Sequence, residues 1–215
     1  MSKIQAVLID LDGTIRDSKS VVYAAVENAL MKHTGKVPSR EELLPYIHHH
    51  EDVHQAFAEH VEPEEFMASY WAKVEELRPM MKPYEGANEL IAELKSAGYR
   101  LAIVTSAVSA PKYLASHGVA DFFDVIIGGN DTAEHKPHPA PVLKALKLLK
   151  VSPEHVVMIG DLPADIESAK AAKVANTISI THGFGTRAML EAAGSDYIID
   201  SFSEVLNTLK KIEAK

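Results

Sequence analysis

Six short apolar runs, set among stretches of helical periodicity, constrain the fold of this chain more than any other feature. They fall at Ile4–Ile9, Arg100–Thr105, Val125–Ile127, His155–Ile159, Asn176–Ile180 and Tyr197–Ile199. Uncharged runs of this kind are strands buried on both faces, as in a parallel sheet. Between them lie helix-patterned segments at Ala87–Ala97, Ala110–His117, Ala140–Leu149, Ala164–Lys173 and Phe202–Ile212. Gly98 closes the first of these and Ser201 can cap the last. Strand–helix alternation at this spacing predicts an α/β, doubly wound parallel sheet with helices on both faces.

One stretch breaks the rhythm. From Asp17 to Lys82 there is no buried run, only helix-like segments separated by Thr34-Gly35, Val37-Pro38-Ser39 and Glu62-Pro63. Val22, Val26 and Leu30 mark one apolar face, and Phe66, Tyr70, Val74 and Leu77 another. The expected organisation is a core of residues 1–16 and 83–215, with an all-helical unit, 17–82, inserted after the first strand. Tyr70 and Trp71 are expected in the core of that unit rather than stacked on a substrate.

Composition narrows the classes of function. A net charge of −8 argues against a general binder of nucleic acid or anionic membrane, which needs a basic face. With no cysteine there is no disulfide, thiolate metal site or thiol nucleophile. No apolar stretch approaches the ~20 residues of a membrane span, and the first residues lead straight into a strand without a signal-peptide pattern, so a cytoplasmic location is expected.

The chemistry is concentrated at strand ends. The first run stops at Asp10-Leu11-Asp12-Gly13-Thr14, two carboxylates one residue apart. Ligands of open α/β sheets sit just beyond the carboxyl ends of strands. Like charges this close call for a shared proton or a cation, and a hard divalent ion such as Mg2+ suits oxygen ligands. Three further stations follow: Thr105-Ser106, Lys136-Pro137-His138-Pro139, and Gly160-Asp161-Leu162-Pro163-Ala164-Asp165. Each alone has a plain explanation, a turn, a strand end, a solvated lysine or a helix cap. Together they supply what phosphoryl transfer requires, namely a nucleophilic carboxylate, an acid–base, a hydroxyl and an ammonium. There is no nucleotide-binding or dinucleotide-binding glycine loop.

The ordered set Asp10-x-Asp12-Gly13-Thr14, Thr105, Lys136 and Gly160-Asp161-x-x-x-Asp165 resembles the haloacid dehalogenase superfamily over essentially the whole chain. The helical insert is similar to the caps of one branch. Pro83-Tyr84-Glu85-Gly86 and Gly128 through Pro139 look most like phosphoglycolate-phosphatase-like members. The resemblance implies a Rossmann-like core, Asp10 as nucleophile and Asp12 as general acid–base. It implies that Thr105, Ser106 and Lys136 bind the transferring phosphate, and that Mg2+ is held by Asp10, the main-chain carbonyl of Asp12 and Asp161. Asp165 would support the metal from behind. Ser106 stands where many relatives carry Asn. Halide release needs no proton, so an acid at Asp12 favours a phosphate ester as substrate.

The expected activity is a Mg2+-dependent phosphatase acting on a small phosphorylated metabolite, phosphoglycolate-like or a sugar phosphate, through an aspartyl-phosphate. Its cap would open for substrate and close to exclude water. A phosphosugar mutase, a pyrophosphatase and a nucleotide phosphatase are the alternatives. A non-enzymatic phospho-acceptor module shares the acidic pocket, hydroxyl and lysine but is far shorter and has no insert.

Three signals stand apart. Arg16 is either a surface arginine at the hinge of the insert or the partner of a second anionic group on the substrate. His50-Glu51-Asp52-Val53-His54 fits the zinc-protease pattern, with His60 in the place of a third ligand. If the helix runs on through Gln55–His60, six residues at about 100° each swing His60 about 240° away from His54. A solvated polar helix is the preferred reading of His48-His49-His50. His182-Gly183-Phe184-Gly185 reads equally as a pocket wall or a flexible turn.

Overall fold

The computed structural model describes residues 3–47 and 50–214. The chain divides into two compact units, Met1–Arg16 with Pro83–Lys215, and Asp17–Lys82.

The first unit holds one sheet of six strands: β1 (Ala6–Ile9), β2 (Arg100–Val104), β3 (Val125–Ile127), β4 (Val156–Gly160), β5 (Asn176–Ile180) and β6 (Tyr197–Ile199). Their order is β3-β2-β1-β4-β5-β6 and every pairing is parallel. This is the Rossmann-like α/β arrangement. The chain builds outward from β1 in one direction, then returns to its other side with β4. The switch point therefore lies between the carboxyl ends of β1 and β4, where such sheets bind ligands.

The sequence of β1 suits its central position. All four residues are fully buried, and they alternate between two cores. Val7 and Ile9 join the apolar cluster under α5 (Ala87–Ser96), α6 (Ala110–Ser116) and α10 (Val205–Glu213). Ala6 and Leu8 face the cluster under α7 (Ala140–Leu149) and α8 (Pro163–Ala171). A strand covered on both faces needs no polar alternation, which is why it reads as an uninterrupted apolar run. A sixth helix, α9 (Arg187–Ala192), precedes β6.

The expected elements form with small shifts at their ends. Thr105 lies just outside β2 and Gly160 inside β4. Pro163 opens α8 one residue earlier than expected, its fixed φ and missing N–H suiting a first helical turn. Ser201 accepts the N–H of Ser203 and forms a capping box with Glu204, starting a short 3-10 turn that leads into α10.

The second unit contains α1 (Lys19–Thr34), α2 (Arg40–Leu43), α3 (His50–Phe57) and α4 (Pro63–Leu77). Gly35 ends α1 in the left-handed conformation, φ 70°. Ser39 and Glu42 build a reciprocal capping box at α2. Val26 and Leu30 of α1 and Phe66, Tyr70 and Val74 of α4 are buried as expected. Val22 is only half-buried, because the stripe on α1 also runs through Val21, Ala25 and Ala29. Trp71 corrects the expectation made of it: it is 47% exposed, edge-on to the buried Tyr70 at 5.0 Å between ring centres. One helical step of about 100° carries it off the buried stripe. Among the described residues, no helix is long and apolar enough to cross a membrane.

Candidate active site

Three carboxylates and one ammonium converge at the switch point. Asp10 follows the last residue of β1, and Asp161 follows the last residue of β4. Asp165 stands in the first turn of α8. One oxygen from each lies within 4.8 Å of the others, and all three side chains are buried. Among the described residues this is the one group of three or more potential metal-ligating side chains. Lys136, from the loop before α7, places its ammonium 2.6 Å from Asp10 Oδ1 and 2.5 Å from Asp165 Oδ1. Its remaining proton goes to the carbonyl of Val104 at 2.8 Å, so all three donors are used within the protein.

Asp165 performs two tasks with its two oxygens. Oδ1 receives Lys136, while Oδ2 accepts the N–H groups of Asp161 and Leu162 at 3.2 and 3.1 Å. It is thus both a helix cap and a member of the buried cluster. Gly160 makes this approach possible, since a Cβ there would lie 2.3 Å from the Asp165 carboxyl carbon.

Asp161 is enclosed by groups that the sequence reading did not assign. The Thr14 hydroxyl donates to its Oδ1 at 2.8 Å and also lies 3.3 Å from Asp10 Oδ2. The main-chain N–H of Phe184 donates to its Oδ2 at 2.8 Å. The segment His182–Gly185 is therefore a wall of the site rather than a flexible turn. Gly183 is required there: a Cβ would stand 2.1 Å from Asp161 Oδ2. Gly13 backs the same oxygen from the other side, with φ +82° and 2.4 Å of clearance for a Cβ. His182 secures the wall through its Nε2, 2.9 Å from the Thr14 carbonyl. The pair of glycines flanking Phe184 was the available signal for this wall.

Carboxyls outnumber ammonium groups in the pocket. Burial pushes the Asp10 carboxyl up to about 7, opposed by Lys136 and reinforced by Asp165 and Asp12. Burial, and then the charges of Asp10 and Asp165, push Asp161 well above the usual carboxylate range. Burial alone would lower Lys136, but Asp10 and Asp165 hold its ammonium above its ordinary value. With one ammonium among three carboxylates, burial favours protons on Asp10 and Asp161 unless a further cation joins them. Clustered oxygen donors of this kind suit a hard divalent cation in place of those protons.

The other expected site residues are placed as follows. Thr105 is buried one residue beyond Val104, its hydroxyl oxygen accepting the N–H of Ala107 at 3.1 Å. Ser106 is exposed. Asp12 keeps 30% of its side chain exposed and is gripped by Arg16, whose Nε donates to Oδ1 at 2.7 Å and Nη2 to Oδ2 at 2.5 Å. This corrects the expectation of a surface arginine. Arg16 is not on the surface: it is 4% exposed, with its guanidinium 4.8 Å over the Tyr113 ring.

Among the described residues, neither His54 nor His60 belongs to a metal-ligating group. His54 Nε2 lies 2.8 Å from the Val61 carbonyl, and its ring packs 5.3 Å from that of Phe66. The helix also stops at Phe57, short of the run to His60 that was expected. Val61 N–H closes a turn on the Ala58 carbonyl instead. His48, His49 and the side chain of His50 lie outside the described residues.

Comparisons with known proteins agree with this geometry. Residues 7–178 match the family model described as haloacid dehalogenase-like hydrolase. Pyrophosphatase PpaX of Bacillus mycoides is 32% identical over 215 residues, covering 98% of this chain and 99% of that protein. A structure of CbbY from Rhodobacter sphaeroides, a D10N mutant with xylulose-1,5-bisphosphate, is 29% identical. It has a TM-score of 0.76 and covers 94% of this chain and 96% of its own. The fold is also that of a predicted phosphoglycolate phosphatase from Haemophilus somnus, at TM-score 0.82 and 22% identity over 97% of this chain and 99% of that one. The chain belongs to the haloacid dehalogenase-like hydrolase family and is an enzyme.

Proposed function

We propose that this hydrolase removes phosphate from a small phosphorylated metabolite, using Asp10 as nucleophile and Mg2+ as cofactor. The observation that carries this reading is the convergence of Asp10, Asp161, Asp165 and Lys136 at the switch point of the sheet, buried and with carboxyls in excess of cations. Asp10, Asp161 and the main-chain carbonyl of Asp12 would hold the metal, with Asp165 bracing the cluster. When bound, a divalent cation supplies charge neutralisation for an anionic nucleophile meeting an anionic phosphate.

The chain's own residues account for the rest. An Asp10 oxygen attacks phosphorus in line and the bond to the leaving oxygen breaks, dividing hydrolysis into two easier steps. Lys136 already touches Asp10 Oδ1, so its ammonium stands where the transferring phosphoryl oxygens would gather negative charge. Thr105, at the neighbouring strand end, is the hydroxyl assigned to the same oxygens. Asp12, two residues from the nucleophile and partly exposed, protonates the leaving oxygen and later takes a proton from water.

A second reading concerns the substrate alone. The 32% identity to a pyrophosphatase, over almost the full length of both chains, favours inorganic pyrophosphate as the phosphoryl donor. One experiment addresses both. Purified protein with Mg2+ is screened for phosphate release from pyrophosphate, phosphoglycolate, sugar phosphates and nucleoside monophosphates. Release is expected from at least one, and Asp10→Asn should lower it by about 10^4-fold or more. Retained turnover in that variant refutes the nucleophile, and rearranged substrate without phosphate release would indicate a mutase.

A further inference from the structure

The fork between Arg16 and Asp12 has no part in nucleophilic attack, yet it is the tightest contact Asp12 makes. Its parts are built unequally. The guanidinium is buried and the carboxylate is not: 4% against 30% of the side chain remains exposed. Two guanidinium nitrogens meet the two carboxylate oxygens, Nε to Oδ1 and Nη2 to Oδ2. The third nitrogen, Nη1, is 3.4 Å from the Ser109 hydroxyl, and the Tyr113 ring lies under the guanidinium plane. Arg16 is therefore held in place by other residues, while Asp12 is held mainly by Arg16.

The backbone fixes both ends of the fork. Ile15 and Arg16 donate their N–H groups to the Leu11 carbonyl, and Gly13 donates to the Arg16 carbonyl at 2.9 Å. Asp12 and Arg16 form an isolated parallel bridge, and Arg16 a second, antiparallel one with Pro83. Both partners stand on one closed turn immediately after the nucleophile.

We propose that Arg16 is the positioning residue of Asp12, gripping its carboxyl from the buried side so that the exposed edge faces the leaving oxygen. The inference rests on the acid–base role given to Asp12 above. A carboxyl that moves protons must stay within hydrogen-bond reach of the reacting oxygen, and a misplacement of about 1 Å costs on the order of 100-fold. An aspartate that reaches solvent is otherwise free to turn about two torsions. A bidentate fork removes that freedom, and a lysine has no matching geometry. In the step concerned, Asp10 bonds to phosphorus as the ester P–O bond breaks, and the proton on Asp12 passes to the departing oxygen. In the next, water attacks the aspartyl-phosphate, Asp10 is released, and the proton of that water returns to Asp12.

Leaving groups distinguish this role from substrate binding and from general support of the fold. p-Nitrophenolate departs without a proton, whereas an alkoxide needs one. Arg16→Gln is compared with wild type on an alkyl phosphate and on p-nitrophenyl phosphate. The alkyl ester should lose about 100-fold in kcat/KM and the aryl ester less than about 5-fold, since only the former depends on a placed acid. Release of p-nitrophenol should become biphasic, one equivalent per site followed by slow turnover, because the return of the proton is impaired. Arg16→Gln added to Asp12→Asn should cost nothing more. Equal losses on both esters, a rise in KM confined to substrates with a second anionic group, or full additivity with Asp12→Asn would overturn the proposal. If Arg16→Gln does not fold by circular dichroism, Arg16→Lys keeps the charge without the fork and decides the same question; wild-type kinetics on both esters would then refute it. No phosphate release by the wild-type enzyme from these esters or from any substrate of the screen, or activity retained in Asp10→Asn, would instead refute the proposed function.

Discussion

Asp10 and Asp12 stand two residues apart on one turn, but their surroundings are opposite. Asp10 is buried in a cluster of three carboxylates, where one ammonium pairs with Asp10 and Asp165, and its carboxyl is pushed up to about 7. Asp12 is partly exposed and matched one-to-one by Arg16. On the proposed mechanism, the difference gives one motif two chemical roles. A desolvated pocket crowded with carboxyls favours binding a cation and attacking phosphorus, and a wetter, singly paired carboxyl suits exchange of a proton with leaving group and water. The proposed roles follow environment, as with other paired carboxylates of unlike surroundings.

The contrast can be broken first at its cations. Lys136→Met leaves Asp10 and Asp165 buried without their partner and should cost about 3–5 kcal/mol of stability, measured by urea unfolding, along with activity. Arg16→Met should cost clearly less, because Asp12 can turn to solvent. Equal costs would mean that the two environments are not as different as their burial indicates.

Protons and metal sharpen it next. The Asp10 carboxyl rises from 3.8 in the unfolded chain to about 7 in the fold, so between those values the folded state holds a proton the unfolded chain has released. Its contribution to stability therefore falls as pH rises through that window, and Asp161 acts in the same direction. Asp10→Asn should remove this part of the pH dependence. Mg2+ at about a hundred times its Kd should raise the Tm near pH 7.5 by about 5–10 °C, and by less at pH 5, where protons compete. An increment independent of pH would contradict the assignment of the cation to these carboxylates.

Smaller effects follow away from the charges. Gly183→Ala drives a methyl into Asp161 and should cost about 1–3 kcal/mol by thermal unfolding. Ser106→Ala, at an exposed position, should change kcat/KM by less than about 3-fold. A large loss there would restore the phosphate-binding role expected of Ser106 from its place in the motif.

The parallel sheet was legible because burial on both faces erases alternation, as β1 illustrates with four fully buried apolar residues. Asp10, Asp161, Asp165 and Lys136 could be found from their strand-end positions. Arg16 could not, since nothing in a sequence tells whether a guanidinium turns outward or back onto the residue four before it. Thr14 was in view, but its bridge to Asp161 spans 147 positions. The Phe184 contact uses a main-chain N–H, which any residue carries. Trp71 adjoins Tyr70 in sequence, but one helical step of about 100° carries it off the stripe of Phe66, Tyr70 and Val74, a signal the periodicity already held.

Covalent capture tests the central claim most directly. The enzyme is mixed with substrate and Mg2+, quenched in acid within the first turnover, digested and mapped by mass spectrometry. One phosphoryl group is expected on the peptide containing Asp10, absent in Asp10→Asn. A phosphoryl group on another residue, or none under conditions where turnover is confirmed and dephosphorylation is the slow step, would contradict attack by Asp10.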